Sequence, residues 1–537
     1  MQGFLGDGVV AEAIKSGTRD FEKILFLLTE GRGHRFLVRA LDCLQFSVEA
    51  ESAKYDMISR RELFRQLSRI AAWSALPPGA LSFERGTESR GHMSATPHVY
   101  DPNFSPGIFS QGDDSFLEQL ERANFLYFWE QANPDTGLVK DRCNVRAPDS
   151  RVLGSIAATG FGLTALCIGE QRGYVSYVQA RDRVLSGMRF LWKKLHNQRG
   201  FFYHWADINT GDRLWQSEVS SIDTALLLCG VLTCRQHFVH SEINDLAHEI
   251  FGRVNWQWLS EDTLILPHGW APETGFLRYR WDSYSELMML YLMGLGSNSY
   301  PLPAGSWEAW KRSKFNYDGI SYIGSFAPIF VHQYSQAWFD FRGKRDKYAD
   351  YFENSILATE AHRRFCLDLS KQFPDYSEDL WGITASDSEH GYEVWGGPPK
   401  TGPIDGTVVP CASAGSLPFL PQEVMRVLHT IEMMYGAGTW SRYGFVDAFN
   451  PLTNWYDSDV IGIDTGITMV MAENARTAFV WNTFMKNPEA QRGMLRAGFQ
   501  DYQPSDPDEL NPSPPLPLGS NGSDPPGHHG TWTKASP

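Results

Sequence analysis

The residues of this sequence that could do chemistry are acids set among aromatic rings. One segment, residues 281–286, reads Trp-Asp-Ser-Tyr-Ser-Glu and ends on Glu286. Burial beside tryptophan and tyrosine raises the pKa of a carboxyl group, and a general acid that works near neutral pH needs a raised pKa. The spacing from Ser283 to Glu286 also fits a helix capping box, in which Glu286 would only bond a backbone N–H. Both interpretations of Glu286 are open on spacing alone.

A second segment places two acids at the start of a very apolar run. Glu218 and Asp223 flank Ser220, and residues 224–228 read Thr-Ala-Leu-Leu-Leu. The spacing from Ser220 to Asp223 is close to a capping box, so a structural role is favoured for Asp223. No cap explains Glu218, which is therefore a candidate catalytic carboxylate.

A third segment carries Asp457, Asp459 and Asp464 within eight residues. Carboxylates at this density could bind calcium, but the spacing departs from an EF-hand loop and two apolar residues interrupt it. We therefore expect no metal here. Asp464 precedes a glycine and an apolar run, so it could be a helix cap or a base that the helix N-terminus keeps ionised.

Several further residues could form the floor and walls of a sugar-binding groove. Glycines beside tryptophan in residues 379–397 permit close approach of a ligand to the backbone. Loop packing is the alternative explanation for these rings. The predicted substrate-binding residues are Asp223, Trp270, Trp281, Asp282, Tyr284, Trp381, Tyr392, Trp395, Asp405 and Asp459.

Acids in aromatic surroundings suit one reaction class in particular. Cleavage of a glycosidic bond needs one carboxylic acid that protonates the leaving oxygen and a second carboxylate that acts as base or nucleophile. The composition agrees, because the chain contains 18 Trp, 21 Tyr and 33 Phe, and flat apolar rings with polar edges suit the faces of sugars. A formal charge of −15 disfavours a nucleic-acid or anionic-membrane surface, so we expect neither partner.

The 537 residues fall into four predicted parts. Residues 1–76 form a helical N-terminal extension, residues 77–113 a linker rich in Pro, Gly, Ser and His, residues 114–502 the main domain, and residues 503–537 a disordered tail. The first eight residues lack the basic and apolar regions of a signal peptide, so no export signal is expected, and the location stays unknown.

The elements of the main domain are predicted to be helices separated by long loops. Apolar periodicity predicts helices over 116–131, 155–168, 175–195, 220–233, 283–292, 348–373, 421–435 and 467–485. The loops over 374–416 and 440–466 are far longer than the usual connection, so they are predicted to carry function. Repeated helix pairs with elaborated loops describe an all-α fold, an (α/α) barrel.

Taken in order, the motifs of the main domain resemble the bacterial endo-β-1,2-glucanases of the glucoamylase-like family. The resemblance rests on residues 155–162, 217–223, 281–286, 382–386, 406–410 and 463–466, and it covers about residues 115–500. It implies an (α/α)₆ barrel without a metal or other cofactor that hydrolyses linear β-1,2-glucan with inversion. Members of that family are normally exported. We expect a monomer whose partner is an oligo- or polysaccharide.

The resemblance also assigns roles to the acids. Glu286 stands in the motif of the general acid, and Asp464 is the first choice for the base, with Glu218 and Asp459 as rivals. Direct inversion would set the two carboxyl groups about 6.5 to 9.5 Å apart.

Three other functions are compatible with the sequence. A transglycosylase could use the same scaffold and transfer the glycosyl group to another sugar. A sugar epimerase or isomerase would use histidines, and His204, His268, His332 and His390 are available. A non-catalytic carbohydrate-binding protein would need only the aromatic groove.

Overall fold

The computed structural model describes residues 108–325, 328–398 and 402–502. The predicted N-terminal extension, most of the predicted linker and the predicted disordered tail lie outside these residues. The first described helix begins at Gln111, after the N-cap Ser110, three residues before the predicted start of the main domain.

Helices dominate the described chain. They are α1 (Gln111–Glu130), α2 (Ile156–Gln171), α3 (Tyr177–Lys193), α4 (Ser221–His237), α5 (Ser241–Gly252), α6 (Trp256–Ser260), α7 (Met288–Gly296), α8 (Ser306–Ala309), α9 (Tyr351–Leu369), α10 (Pro410–Ala414), α11 (Pro421–Thr430), α12 (Gly436–Thr439), α13 (Gly462–Thr477), α14 (Phe479–Phe484) and α15 (Pro488–Arg496). Two 3₁₀ turns, Ile329–His332 and Ser335–Ala337, and a π-helical segment, Ile431–Tyr435, complete the helical elements.

Short antiparallel strands, which the sequence patterns did not predict, lie in the connections between the helices. They are β1 (Val139–Lys140), β2 (Arg142–Asn144), β3 (Leu153–Ser155), β4 (Asn197–Gln198), β5 (Phe201–Phe202), β6 (Trp205–Asp207), β7 (Val219–Ser220), β8 (Gly269–Ala271), β9 (Gly275–Phe276), β10 (Lys314–Tyr317), β11 (Ile320–Ile323), β12 (Lys344–Arg345), β13 (Ala385–Ser388), β14 (Gly391–Val394), β15 (Trp440–Ser441), β16 (Gly444–Phe445), β17 (Phe449–Asn450), β18 (Trp455–Tyr456), β19 (Asp459–Ile461) and β20 (Gln500–Asp501). The sheets β1-β3-β6 and β7-β8-β9 have three strands, and the other pairings have two, among them β19 with β2.

The helices form an inner and an outer layer. α2, α4, α7 and α13 are buried on nearly all faces, whereas α3, α5 and α15 bury one face only. A helix that is apolar all round must lie inside the fold, and an amphipathic one must cover it. The inner helices therefore form the centre of the domain.

Close contact between two inner helices depends on glycine. Gly160 of α2 and Gly230 of α4 lie where the helices touch, and a Cβ atom on either residue would overlap the backbone of the other helix. α2 also packs against α13, where Phe161 lies on Gly466. These contacts bring the N-terminal ends of the three helices together.

Two predicted helices, one from Ser283 and one over 467–485, depart from the structure in a way that affects the site. The helix predicted from Ser283 begins only at Met288, so residues 283–286 lie outside it. The helix predicted over 467–485 is two helices, because Ala478 adopts a left-handed conformation with φ of 58° and ends α13. Among the described residues, no helix is both long and apolar enough to cross a membrane.

Candidate active site

Three inner helices start in the same way, directly after a short strand. β3 leads into α2, β7 into α4 and β19 into α13. Ser155 and Ser220 cap α2 and α4 by accepting the backbone N–H groups of Ala158 and Asp223. The N-terminal end of a helix carries a partial positive charge and favours a carboxylate. The acids predicted from the sequence lie at this end of the domain.

Glu286 lies in the connection just before α7 and is 8% exposed. Its carbonyl oxygen accepts a hydrogen bond from Oγ of Ser335 at 2.8 Å, and the same Oγ accepts the backbone N–H of Met289 at 3.0 Å. Because α7 starts at Met288, the capping-box interpretation of Glu286 is wrong. The side chain is therefore not explained by a helix cap.

Asp464 is the third residue of α13 and is 7% exposed. The N-cap of this helix is Ile461, so the interpretation of Asp464 as the cap is wrong. Asp464 lines a cavity of about 20 Å³ together with Asn124, Cys411 and Asp447. A volume of this size holds one water molecule.

Asp447 is a buried acid that the sequence analysis missed. Its pKa is raised well above the usual value, first by burial and then by the negative charges of Asp464, Asp387 and Asp457. Its Oδ2 accepts the backbone N–H of Asp387 at 2.7 Å, whereas its Oδ1 has no hydrogen-bond partner. The only signal in the sequence was its place in the long loop over 440–466.

Three of these aspartates could hold a cation. Asp387, Asp447 and Asp457 offer carboxylate oxygens that lie within 4.8 Å of one another, the donor type that calcium and magnesium prefer. Arg142 already lies 2.5 Å from Oδ2 of Asp387, and burial raises the pKa of Asp457 to about 8. A guanidinium and bound protons thus reduce the negative charge of this cluster.

Glu218 and Asp223 lie on either side of one histidine. His204 Nδ1 is 3.3 Å from Oε1 of Glu218, and its Nε2 is 3.5 Å from Oδ2 of Asp223. The imidazole stacks on Trp205 with ring centroids 3.9 Å apart. Ser220 caps α4 by accepting the N–H of Asp223, and its Oγ donates to Oδ2 of Asp223 at 2.5 Å, so the serine cap is formed while the role of the Asp223 carboxylate stays a prediction. The arrangement is a buried chain of acid, histidine and acid.

The predicted sugar-binding rings divide by burial. Tyr284 and Trp381 are fully buried, and Trp281 and Trp395 are nearly so. Each of Trp281, Tyr284 and Trp395 is hydrogen-bonded within the protein, to Ser221, His332 and Ser386 respectively. This burial favours a packing role for these four rings.

The other predicted binding residues are more accessible or are ion-paired. Trp270, Asp282, Tyr392 and Asp405 are partly exposed. Asp459 is buried and forms a two-pronged ion pair with Arg151 at 2.6 and 2.9 Å. Because the guanidinium of Arg151 already occupies both carboxylate oxygens, this pairing weighs against Asp459 as the base.

One buried phenol connects the two principal candidates. The pKa of Tyr334 is raised first by burial and then by the charges of Asp464, Cys411, Tyr392 and Glu286. Such interactions weaken with distance, so Glu286 and Asp464 both lie in the surroundings of this side chain. The structure thus brings the candidate acid and the candidate base to one region.

Comparison with known proteins confirms the resemblance that the motifs predicted. Residues 278–488 match the family described as "Putative glucoamylase". An exo-β-1,2-glucooligosaccharide sophorohydrolase (non-reducing end) from Parabacteroides distasonis is 27% identical over 431 residues. That alignment covers 73% of this chain and 59% of the relative, so the chain spans less than two thirds of the curated protein it matches.

Two solved structures show the same fold. An endo-β-1,2-glucanase from Chitinophaga pinensis, in complex with sophorotriose and glucose, is 28% identical with a TM-score of 0.69, over 73% of this chain and 99% of that one. A β-1,2-glucanase from P. distasonis is 26% identical with a TM-score of 0.67, over 73% of this chain and 60% of that one. The predicted helical barrel type is therefore correct.

Proposed function

We propose that this relative of the β-1,2-glucanases is a glycoside hydrolase that cleaves β-1,2-linked glucan to sophoro-oligosaccharides. The observation that carries the proposal is the similarity to the endo-β-1,2-glucanase that was solved with sophorotriose and glucose. The matched region spans nearly all of that enzyme's chain. The activity is assigned to the domain of residues 114–502, in an (α/α)₆ barrel. The buried inner helices and the amphipathic outer helices support this architecture.

In the proposed reaction, Glu286 donates a proton to the bridging oxygen while Asp464 removes a proton from the attacking water. The water oxygen bonds to the anomeric carbon as the glycosidic bond breaks, so Glu286 ends ionised and Asp464 ends protonated. Exchange with solvent restores both groups. Burial of Glu286 supports its role, because removal from water disfavours the charged form of a carboxyl group.

The position of Asp464 supports the opposite role. It lies in the first turn of α13, where the helix dipole favours the ionised carboxylate that a base must be. The raised pKa of Asp447 adds to this, since a protonated Asp447 places a neutral group beside Asp464. Glu218, which lies beside His204, stays the rival base.

The proposal is tested by incubating the purified chain with linear β-1,2-glucan and, separately, with β-1,3- and β-1,4-glucans. Mass spectrometry should show short oligosaccharides from the β-1,2-linked substrate alone. Proton NMR during the first turnovers should show the α-anomer, because inversion at a β-linkage gives that product. Products longer than the substrate would instead show a transglycosylase, and absence of release from every glucan would refute the proposed hydrolysis.

A further inference from the structure

Three consecutive residues, Gln333, Tyr334 and Ser335, link the first 3₁₀ turn to the start of the second and contact both sides of the candidate site. On one side, Oγ of Ser335 donates to the carbonyl oxygen of Glu286 at 2.8 Å. On the other side, Nε2 of Gln333 donates to the carbonyl oxygen of Ala412 at 2.8 Å and to Oγ of Ser416 at 2.8 Å. Tyr334 stands between these two anchors.

The hydrogen bonds of Gln333 connect this segment to the helix beside the candidate base, Asp464. Ala412 belongs to α10, and its neighbour Cys411 lines the small cavity that Asp464 also lines. The backbone of Tyr334 is therefore held between the connection that carries Glu286 and the helix that lies against Asp464.

The ring of Tyr334 is fixed by other rings. The residue is 6% exposed, and its ring lies 5.2 Å from that of Phe330 and 5.9 Å, nearly perpendicular, from that of Phe161. Phe161 in turn packs on Gly466, two residues after Asp464. Packing thus determines the position of the ring without help from the hydroxyl group.

The hydroxyl group of Tyr334 is not used by the fold. Within the described chain it makes no hydrogen bond, whereas the hydroxyl groups of the buried Tyr127 and Tyr291 donate to backbone carbonyl oxygens at 2.8 and 2.9 Å. The ring of Tyr334 is buried, but its hydroxyl oxygen is not fully enclosed, so the hydroxyl group is accessible to a ligand.

We propose that Tyr334 is a third catalytic residue, whose hydroxyl donates a hydrogen bond to a sugar hydroxyl oxygen beside the bond that is cleaved, between Glu286 and Asp464. The assignment rests on the proposed function. Both acids change protonation state during the reaction, so a third group is better suited to donate one unchanging hydrogen bond to the sugar. The neutral phenol can do so, because its raised pKa keeps it protonated at any pH at which the acids work.

Tyr334→Phe tests this proposal because it removes the hydroxyl group and keeps the ring contacts. We expect kcat/KM on β-1,2-glucan to fall about 10- to 100-fold, with Tm unchanged. The pH values at which activity rises and falls should also stay the same, because the two acids that set them are intact. If Tyr334 only supported the structure, its substitution would displace the two acids, and the pH values at which activity rises and falls would change.

Tyr174→Phe is the matched control. Tyr174 follows the C-terminal end of α2, has a pKa raised by burial and by nearby glutamates, and donates to Oε1 of Glu118 at 2.7 Å. Its loss should leave kcat/KM unchanged. If the wild type turns over β-1,2-glucan and Tyr334→Phe is equally active, the role of Tyr334 is overturned. A loss of activity that follows a loss of stability would overturn it as well. Absence of turnover by the wild type would instead overturn the proposed function.

Discussion

The two ends of the inner helices both bury carboxylates, but they neutralise them differently. At the C-terminal ends of α2 and α13, Arg476 lies 3.0 Å from Glu121 and 3.0 Å from Glu118. Arg172 lies 2.6 Å from Glu473 at the same end. Each buried glutamate there has a guanidinium partner.

At the N-terminal ends the aspartates crowd one another. Asp447 and Asp457 each keep one buried carboxylate oxygen without a hydrogen bond, and burial and neighbouring acids raise the pKa of both. Arg142 contacts Asp387 rather than either of these two. Along α13 the two ends are about 18 Å apart, from Asp464 to Arg476.

The difference separates stability from chemistry. A buried acid paired with arginine is held in one geometry, so it can hold helices together, even where burial and a neighbouring acid raise its pKa, as they do for Glu121. A buried acid among other acids keeps its proton to a higher pH, and acids with such a perturbed pKa gather at functional sites. The contrast predicts that loss of an arginine at the C-terminal ends lowers stability, whereas substitution of the acids at the N-terminal ends changes the reaction rate or the pH dependence of stability.

The largest expected effect is that of Asp464→Asn. If Asp464 is the base, kcat should fall about 100- to 10,000-fold, because the attacking water loses its proton acceptor. Initial rates on β-1,2-glucan measure this directly. Glu218→Gln should then lower kcat much less, and the reverse order of the two variants would make Glu218 the base.

Arg476→Met should change stability instead. The substitution keeps the apolar stem but removes the guanidinium from Asp114 and leaves Glu118 and Glu121 with the more distant Arg172 alone, which should lower the free energy of unfolding by about 3 to 5 kcal/mol. Urea unfolding measures the loss, and kcat of the folded fraction should stay at the wild-type value. If Arg476→Met had normal stability and a low kcat, the C-terminal ends would not differ from the N-terminal ends in their role.

Asp457→Asn should have a smaller and pH-dependent effect. The folded pKa of about 8 lies above the unfolded value, so the ionised form opposes folding, and this penalty grows as the pH rises from about 4 to 8. The variant should therefore exceed the wild type in unfolding free energy by at least about 1 kcal/mol at pH 8 and match it near pH 4. A cation bound by the aspartates would reverse the sign, since the variant would lose a ligand.

The sequence predicted the helices better than the site, and the reason is physical. Apolar periodicity located α2 and α4 within a few residues, because each inner helix is apolar over its whole length. Spacing misplaced the start of α7, since Ser283 to Glu286 imitates a cap that the chain does not use. A local sequence pattern shows where a helix cap could form, but it does not show whether the folded chain forms that cap.

The long-range parts of the site had no local signal. Asp447 reaches Asp387 across 60 residues, and Tyr334 lies in a segment without a charged group, so neither stood out in the sequence. The family resemblance assigned catalytic roles to Glu286 and Asp464, which residue spacing alone could not do. Their roles stay predictions.

The most direct test of this account compares Glu286→Gln with the wild type on linear β-1,2-glucan, with Tm measured on the same preparations. The amide keeps the shape of the side chain and removes the proton that the leaving oxygen needs, so kcat should fall about 100- to 10,000-fold with Tm unchanged. A Glu286→Gln enzyme that releases sophoro-oligosaccharides at the wild-type rate would contradict the assignment of the acid and with it the chemistry proposed for this end of the barrel.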